Sequence, residues 1–98
     1  MAARITITPE DLRTASTNFS NKAGEIREIL NYLRSEVNRL ESSWDGAAQD
    51  QFFMTYEEMS KNLEQFPEVV DGLGQALSSV AQTLEETDQA LADSLKGE

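Results

Sequence analysis

The chain has 98 residues, a formal net charge of −10 and neither cysteine nor histidine. This length suffices for one domain with a modest core. Without cysteine there are no disulfides, thiolate zinc sites or cysteine nucleophiles, and without histidine the commonest proton shuttle and metal ligand are missing. We therefore expect no enzyme, no metal site and no cofactor. The negative charge argues against binding to nucleic acid or to anionic membranes.

The N-terminal segment has the features of a helix start but not those of a signal peptide. Thr8 can cap a helix, Pro9 suits its first position, and Glu10 and Asp11 place negative charge at the positive end of the helix dipole. The residues before Thr8 contain no apolar run of the length that a signal peptide needs. The chain also lacks the run of about 18 apolar residues that a membrane span requires. We expect no membrane insertion and, if the protein leaves the cell, export without a signal peptide.

Apolar residues recur at intervals of seven in the first half of the chain, which is the pattern of a long helix that packs along one seam. The two series are Leu12, Phe19, Ile26, Leu33 and Leu40, and Ser16, Ala23, Leu30, Val37 and Trp44. Because no proline interrupts them, we expect one helix from about residue 9 to residue 43.

The second half repeats this pattern after a short turn at residues 43–46. Its series are Phe52, Met59, Phe66, Leu73, Val80 and Thr87, and Tyr56, Leu63, Val70, Leu77, Leu84 and Leu91. We expect a second helix over about residues 47–95, with Gly97 ending it. Pro67 lacks an N–H group and favours a break or a kink. Because the seven-residue spacing continues across it, we predict a kinked but continuous helix.

Two long helices joined by so short a turn must fold back on each other. The sequence thus predicts an all-α fold, an antiparallel helix-turn-helix hairpin that forms a single domain over residues 1–98. The seam of core and dimer is predicted to comprise the large apolar members of the series up to Val80, Trp44 excepted, together with Ile29. Flanking apolar and small residues widen this stripe beyond what one helix can cover. We therefore expect two hairpins to pack into a four-helix bundle with an isologous interface.

Charge is divided unevenly between the two halves. Residues 1–45 carry six basic and seven acidic side chains, a net of −1, whereas residues 46–98 carry two and eleven, a net of −9. Neighbouring carboxylates such as Glu57 and Glu58 point about 100° apart on a helix, so we interpret them as a solvated face rather than a metal or acid–base site. Tyr32 lies off the seam of the first helix and is predicted on an outer face, where a partner can reach it.

The turn holds the only tryptophan of the chain, in the stretch Ser42-Ser43-Trp44-Asp45-Gly46. By itself this stretch is explained by a hydrophobic plug and a turn glycine. In combination with the length of the chain and the two heptad helices, however, the Trp-Xaa-Gly turn resembles that of the WXG family of hundred-residue, early-secreted-antigen-like proteins. The resemblance covers essentially the whole chain. It points to the homodimeric type of Gram-positive bacteria, because Leu84 stands where many mycobacterial-type members carry tyrosine.

A second family pattern lies near the C-terminus, where a hydrophobic residue is followed by an acid four positions later and by hydrophobic residues three and seven positions after the acid. The residues that match it are Leu84, Asp88, Leu91 and Leu95. The resemblance implies a substrate of the type VII (ESX-like) secretion system, exported as a folded dimer by an FtsK/SpoIIIE-like membrane ATPase that recognises the C-terminal segment. It also implies that Trp44 and Gly46 of one subunit lie near Asp88 of the other and form a composite signal.

We therefore expect a small, non-enzymatic protein that is made in the cytoplasm and secreted. It would act as a virulence-associated effector, a co-secreted carrier or a structural partner of the secretion machine. Its partners would be a second copy of itself or a paralogous family member, and the ATPase. The alternative is an intracellular antiparallel coiled-coil adaptor with no export role. A membrane-permeabilising hairpin is disfavoured by the acidic second half.

Overall fold

The structure is a computed structural model that describes residues 7–96. It consists of two helices, α1 (Pro9–Glu41) and α2 (Ala47–Lys96), which pack side by side as an antiparallel hairpin. The molecule is a rod of 80 × 25 × 20 Å. The predicted all-α hairpin is confirmed. No helix within residues 7–96 is both long enough and apolar enough to cross a membrane.

The start of α1 follows the predicted capping pattern. The Asp11 backbone N–H donates to Thr8 Oγ1 at 3.0 Å, and the Thr8 backbone N–H donates to Asp11 Oδ2 at 3.1 Å. Two backbone donors that have no partner in the helix are thereby satisfied. Pro9 occupies the first turn, where its missing N–H group costs nothing.

The first helix ends at Glu41, two residues earlier than predicted. The Ser42 backbone N–H still donates to the Asn38 carbonyl at 3.3 Å, but the Ser43 N–H donates to the Leu40 carbonyl at 3.1 Å. This bond spans three residues instead of four and closes the helix.

The second helix continues through Pro67 without a break, as predicted. Because proline has no N–H group, the Leu63 carbonyl loses its helical donor at this point. The Pro67 side chain is buried against α1, so α2 loses one hydrogen bond at this point but gains packing against the other helix. The predicted stop at Gly97 lies outside the described residues.

Small residues line the side of α2 that faces α1. The buried residues of α2 are spaced by seven and are Ser60, Pro67, Gly74 and Ala81. On α1 the buried residues are Leu12 and Ala23. The closest approach is at Gly74, whose carbonyl accepts a 2.7 Å hydrogen bond from Ser16 Oγ. A Cβ atom at Gly74 would lie 3.1 Å from Phe19 Cβ and 3.1 Å from the Ser16 carbonyl oxygen, so the helices meet here because the residue has no side chain.

Ion pairs between the helices lie along one edge of the hairpin, which we call the ion-paired edge. Arg13 pairs with Glu85, Arg27 Nη2 lies 2.7 Å from Asp71 Oδ2, and Arg34 Nη1 lies 3.0 Å from Glu57 Oε1. The three arginines are separated by multiples of seven and therefore share one side of α1. Each exposed pair contributes only about 0.2–1 kcal/mol. Together they favour one register of the arginines of α1 against the acidic side chains of α2.

Candidate functional site

The turn between the helices is closed by an aromatic cluster around Trp44. The Trp44 ring centroid lies 5.7 Å from that of Phe52 and 6.1 Å from that of Phe53. The indole is half-buried, so it plugs the end of the hairpin and still presents part of its surface. Phe52 in turn stacks on Tyr56 with ring centroids 6.5 Å apart, which extends the cluster along α2. Contacts of this kind each add about 0.5–1.5 kcal/mol beyond burial.

The backbone conformation of the turn explains why its third residue is glycine. Gly46 has φ 112°, a backbone conformation that side chains disfavour. Its carbonyl accepts the Gln49 N–H at 3.1 Å and the Asp50 N–H at 3.3 Å, which starts α2. The Gln49 side chain also donates to the Glu41 carbonyl at 3.2 Å and ties the two helix ends together. The turn is therefore a defined structure that orients Trp44.

The four residues of the C-terminal pattern lie where α2 runs past the start of α1. Leu84 is half-buried, but every residue from Glu85 to Lys96 is exposed. Leu91 and Leu95 are 61% and 67% exposed and lie on one side of the helix, as their spacing of four requires. At 1.5 Å per residue, Asp88 lies about 60 Å along α2 from the turn. One chain therefore does not bring Trp44 and Asp88 together.

A long apolar face is left open on one side of the hairpin. Its members are exposed and apolar, and we define the apolar face as Ile29, Leu33, Leu40, Phe52, Met59, Leu63, Phe66, Val69, Leu73 and Val80. It includes the predicted series from Phe52 to Val80, which points away from α1 rather than into the hairpin. Near its far end an open hollow of about 240 Å³ is lined only by Phe19, Leu73, Ala76, Leu77 and Val80. Contiguous apolar surface of this extent marks an interaction site.

The side of α2 that carries the apolar face is also free of charge over most of its length. Between residues 59 and 84 the helix has four charged side chains, which are Lys61, Glu64, Glu68 and Asp71. Glu64 and Asp71 pair with arginines on the ion-paired edge. Lys61 and Glu68 precede Leu63 and Val70 by two residues and point to the outer side of the helix. Although the protein is acidic, α2 thus presents one largely uncharged side.

Arg34 is the centre of the polar contacts in the middle of the hairpin. Its guanidinium pairs with Glu57 and, at 3.6 Å, with Glu64, and lies 5.2 Å from the ring centroid of Tyr56. The hydrogen bond to Glu57 raises the pKa of Arg34, so this side chain stays charged at every pH at which the protein is handled. The charged groups here are already paired, and no nucleophile meets a base. Among residues 7–96, no group of three or more carboxylates is placed to hold a metal ion.

The sequence-based predictions include neither the small-residue line of α2 nor the ion-paired edge. Both have a seven-residue spacing that is visible in the sequence. The large apolar residues dominate the heptad pattern, and these two series are less prominent beside them. Tyr32, predicted on an outer face, is 65% exposed, and it adjoins the apolar face because it lies three residues from Ile29.

Comparison with known proteins points to the family that the Trp-Xaa-Gly turn resembles. Residues 4–89 match the family described as proteins of 100 residues with WXG. The chain is 30% identical over 95 residues to an ESAT-6-like protein of Streptococcus agalactiae, covering 97% of this chain and 99% of that one. It is 29% identical over 91 residues to type VII secretion system extracellular protein A of Staphylococcus aureus, covering 93% and 94%.

Among solved structures, the secreted protein EsxB of Bacillus anthracis superposes with a TM-score of 0.76 at 33% identity. The match covers 89% of this chain and 99% of that one. Proteins of this kind are small helical hairpins and not enzymes. The turn with Trp44 and Gly46, the two long helices and these matches over nearly the full length agree, and the chain belongs to the WXG100 family.

Proposed function

We propose that this protein is a substrate of a type VII secretion system and is exported as a folded homodimer. The relatives support export, because one of them is named as an extracellular protein of that system. The observation that carries the proposal is the exposed C-terminal part of α2, where Leu91 and Leu95 are not covered by any other part of the described residues 7–96. A helix with an open apolar stripe and one carboxylate can dock into a groove that recognises its shape and its charge.

The apolar face supports the dimer. A stripe of ten large apolar residues is costly to leave in water, since each buried CH₂ group is worth about 0.8 kcal/mol. A second hairpin laid on this face would cover it and give a four-helix bundle. In such a dimer the hairpins would point in opposite directions, so that the turn of one subunit lies near Asp88 of the other. Trp44 and Gly46 would then form one signal with Leu84, Asp88, Leu91 and Leu95 of the partner subunit.

We further propose that an FtsK/SpoIIIE-like membrane ATPase is the receptor for this signal. The exported protein would then act as a virulence-associated effector, as a co-secreted carrier or as a structural partner of the machine. An intracellular adaptor with the same bundle would need none of these contacts. Asp88 separates the two roles, because an exposed carboxylate that binds nothing contributes less than about 0.5 kcal/mol to stability.

The test is an export assay in the native host, with and without the ATPase. Quantitative mass spectrometry would measure the protein in culture supernatant and in lysate, with a cytosolic protein as the control for lysis. The variants are Trp44→Ala and Asp88→Ala, with Glu86→Ala as the matched control. Glu86 is an exposed acid of the same helical segment that stands outside the family pattern. Circular dichroism would verify that each variant is folded.

We expect export of the wild type and of the Glu86 variant to require the ATPase, and export of the Trp44 and Asp88 variants to be lost. Wild-type protein that stays in the lysate whether or not the ATPase is present would refute the proposal. That result would favour the intracellular adaptor. Export of the Asp88 variant at the wild-type level would refute the role given to the C-terminal pattern.

A further inference from the structure

Each helix has one residue on the apolar face about which an antiparallel copy of the same helix could pack, and we call this residue the centre of the helix. The two centres lie near each other in the hairpin. On α2 the exposed series Phe52, Met59, Phe66, Leu73 and Val80 has Phe66 as its middle member. If α2 packs antiparallel on its own copy about Phe66, Leu73 meets Met59 of the partner subunit and Val80 meets Phe52 of the partner subunit. Every large apolar residue of the series then has an apolar partner.

On α1 the corresponding series is Lys22, Ile29 and Glu36, whose members are seven positions apart. These residues lie on one side of the helix, and Ile29 is 57% exposed as part of the apolar face. Lys22 and Glu36 have opposite charges and are equally far from Ile29. An antiparallel copy centred on Ile29 therefore places each lysine opposite a glutamate.

The two centres lie at similar heights along the hairpin. Arg27 reaches Asp71 at 2.7 Å, and Arg34 reaches Glu57 at 3.0 Å and Glu64 at 3.6 Å. Ile29 lies between these two arginines and so faces the stretch of α2 between residues 57 and 71. Phe66 belongs to that stretch. One two-fold axis can thus pass through Ile29 and Phe66 together.

A parallel arrangement of two copies fits less well. Face-to-face hairpins that point the same way would place α2 over α1 of the partner. The C-terminal half of α2, with Leu73 and Val80, would then lie over the start of α1 of the partner subunit. The exposed side chains of α1 there include Lys22 and Glu25, which form a surface ion pair with each other at 3.2 Å. Only the antiparallel arrangement sets every large apolar residue of the α2 series on an apolar residue of the partner subunit.

We propose that Lys22 and Glu36 are the residues by which this face selects a second copy of the chain and fixes its register. Two ion pairs would form per dimer, each between Lys22 of one subunit and Glu36 of the other, at either side of the axis. This inference rests on the homodimer of the proposed function and adds its specificity. Within the single chain, Glu36 pairs with Arg39 of the same helix at 2.9 Å. This contact lowers the pKa of Glu36, so its side chain is a carboxylate at neutral pH.

Charge reversal tests the proposal on the purified chain. Lys22→Glu places two glutamates opposite each other at both sites, and Glu36→Lys does the same with two lysines. Sedimentation equilibrium should show that each variant alone dimerises about tenfold more weakly than the wild type, given two exposed pairs reversed in sign. Glu28→Lys is the matched control, because Glu28 is exposed on the outer side of α1 and the charge change is the same. It should leave the dimer affinity unchanged.

Mixing the two variants gives the decisive measurement. A heterodimer of Lys22→Glu with Glu36→Lys has two attractive pairs, so native mass spectrometry with one variant isotopically labelled should show it above the statistical proportion. The double variant, with both changes in one chain, should dimerise like the wild type. The preference should weaken as salt is added, since exposed ion pairs are screened.

Statistical mixing, or single variants as tight as the wild type, would overturn the inference, as would a monomeric wild type. The result is independent of the export assay. A chain that dimerises through these pairs but stays in the cell would refute only the proposed function. An exported chain whose reversed variants mix statistically would refute only the inference.

Discussion

Two glycines of α2, two residues apart, allow the packing of the hairpin to be measured separately from helix propensity. A Cβ atom at Gly72 would have no atom within 4 Å apart from its chain neighbours and the adjacent backbone of its own helix, whereas one at Gly74 would lie 3.1 Å from both Phe19 Cβ and the Ser16 carbonyl oxygen. Replacing either glycine by alanine favours the helix by about 1 kcal/mol. At Gly74 the same change overpacks the helix interface, which typically costs about 1–3 kcal/mol.

We therefore predict that Gly72→Ala stabilises the protein by about 0.5–1 kcal/mol. Gly74→Ala should be less stable than the Gly72 variant by about 1–3 kcal/mol. The difference between the two variants removes the propensity term, because it is common to both.

Urea unfolding followed by circular dichroism would give both free energies of unfolding. All samples need the same protein concentration, because the stability of an associating protein depends on it. In thermal unfolding, each kcal/mol would separate the midpoints by about 4–8 °C for a domain of this size. A Gly74 variant as stable as the Gly72 variant would show that the helices are not in close contact at this point.

Two further predictions concern the helix cap and the apolar face. Thr8→Ala removes the side chain that accepts the Asp11 N–H and should lower the free energy of unfolding in urea by about 1 kcal/mol; an unchanged value would mean that the first turn adds nothing to stability. The second test uses dilute peroxide at a protein concentration above the dimer dissociation constant. Met59 on the apolar face should then be oxidised more slowly than Met54, although the two side chains are 60% and 74% exposed in the single chain. Peptide mass spectrometry measures both residues in one sample, and equal rates would argue against a partner on this face.

The elements of the fold were predictable because their signals are local. The capping residues at Thr8 and Asp11 fix the start of α1, and the unbroken seven-residue spacing correctly predicted a helix that continues through Pro67. The end of α1 was placed two residues too late, because Trp44 continues the apolar series beyond the last helical residue. The bond from Ser43 to Leu40 ends the helix there, and periodicity does not report such a bond.

The inward side of α2 was harder to predict from the sequence. Large apolar residues dominate the pattern, yet α1 packs on Ser60 and Gly74 because small residues let two helices approach closely. The larger residues, such as Phe66, are then left on the open side. Which of two adjacent stripes is buried within one chain, and which is left for a partner, depends on the distance between the helices. That distance is a tertiary property and is set by contacts such as the one between Ser16 and Gly74.

The elongated shape of the molecule has a consequence for transport. A single hairpin of 80 × 25 × 20 Å is more than three times as long as it is wide, so passage end-on needs a much smaller opening than passage sideways. A single hairpin has two unlike ends, one with the aromatic turn and the other with the free tip of α2, so its orientation would matter. A two-fold antiparallel pair has identical ends, each with one turn and one tip. A receptor at the entrance would meet the same surface whichever end arrived first, and no step would be needed to turn the particle round.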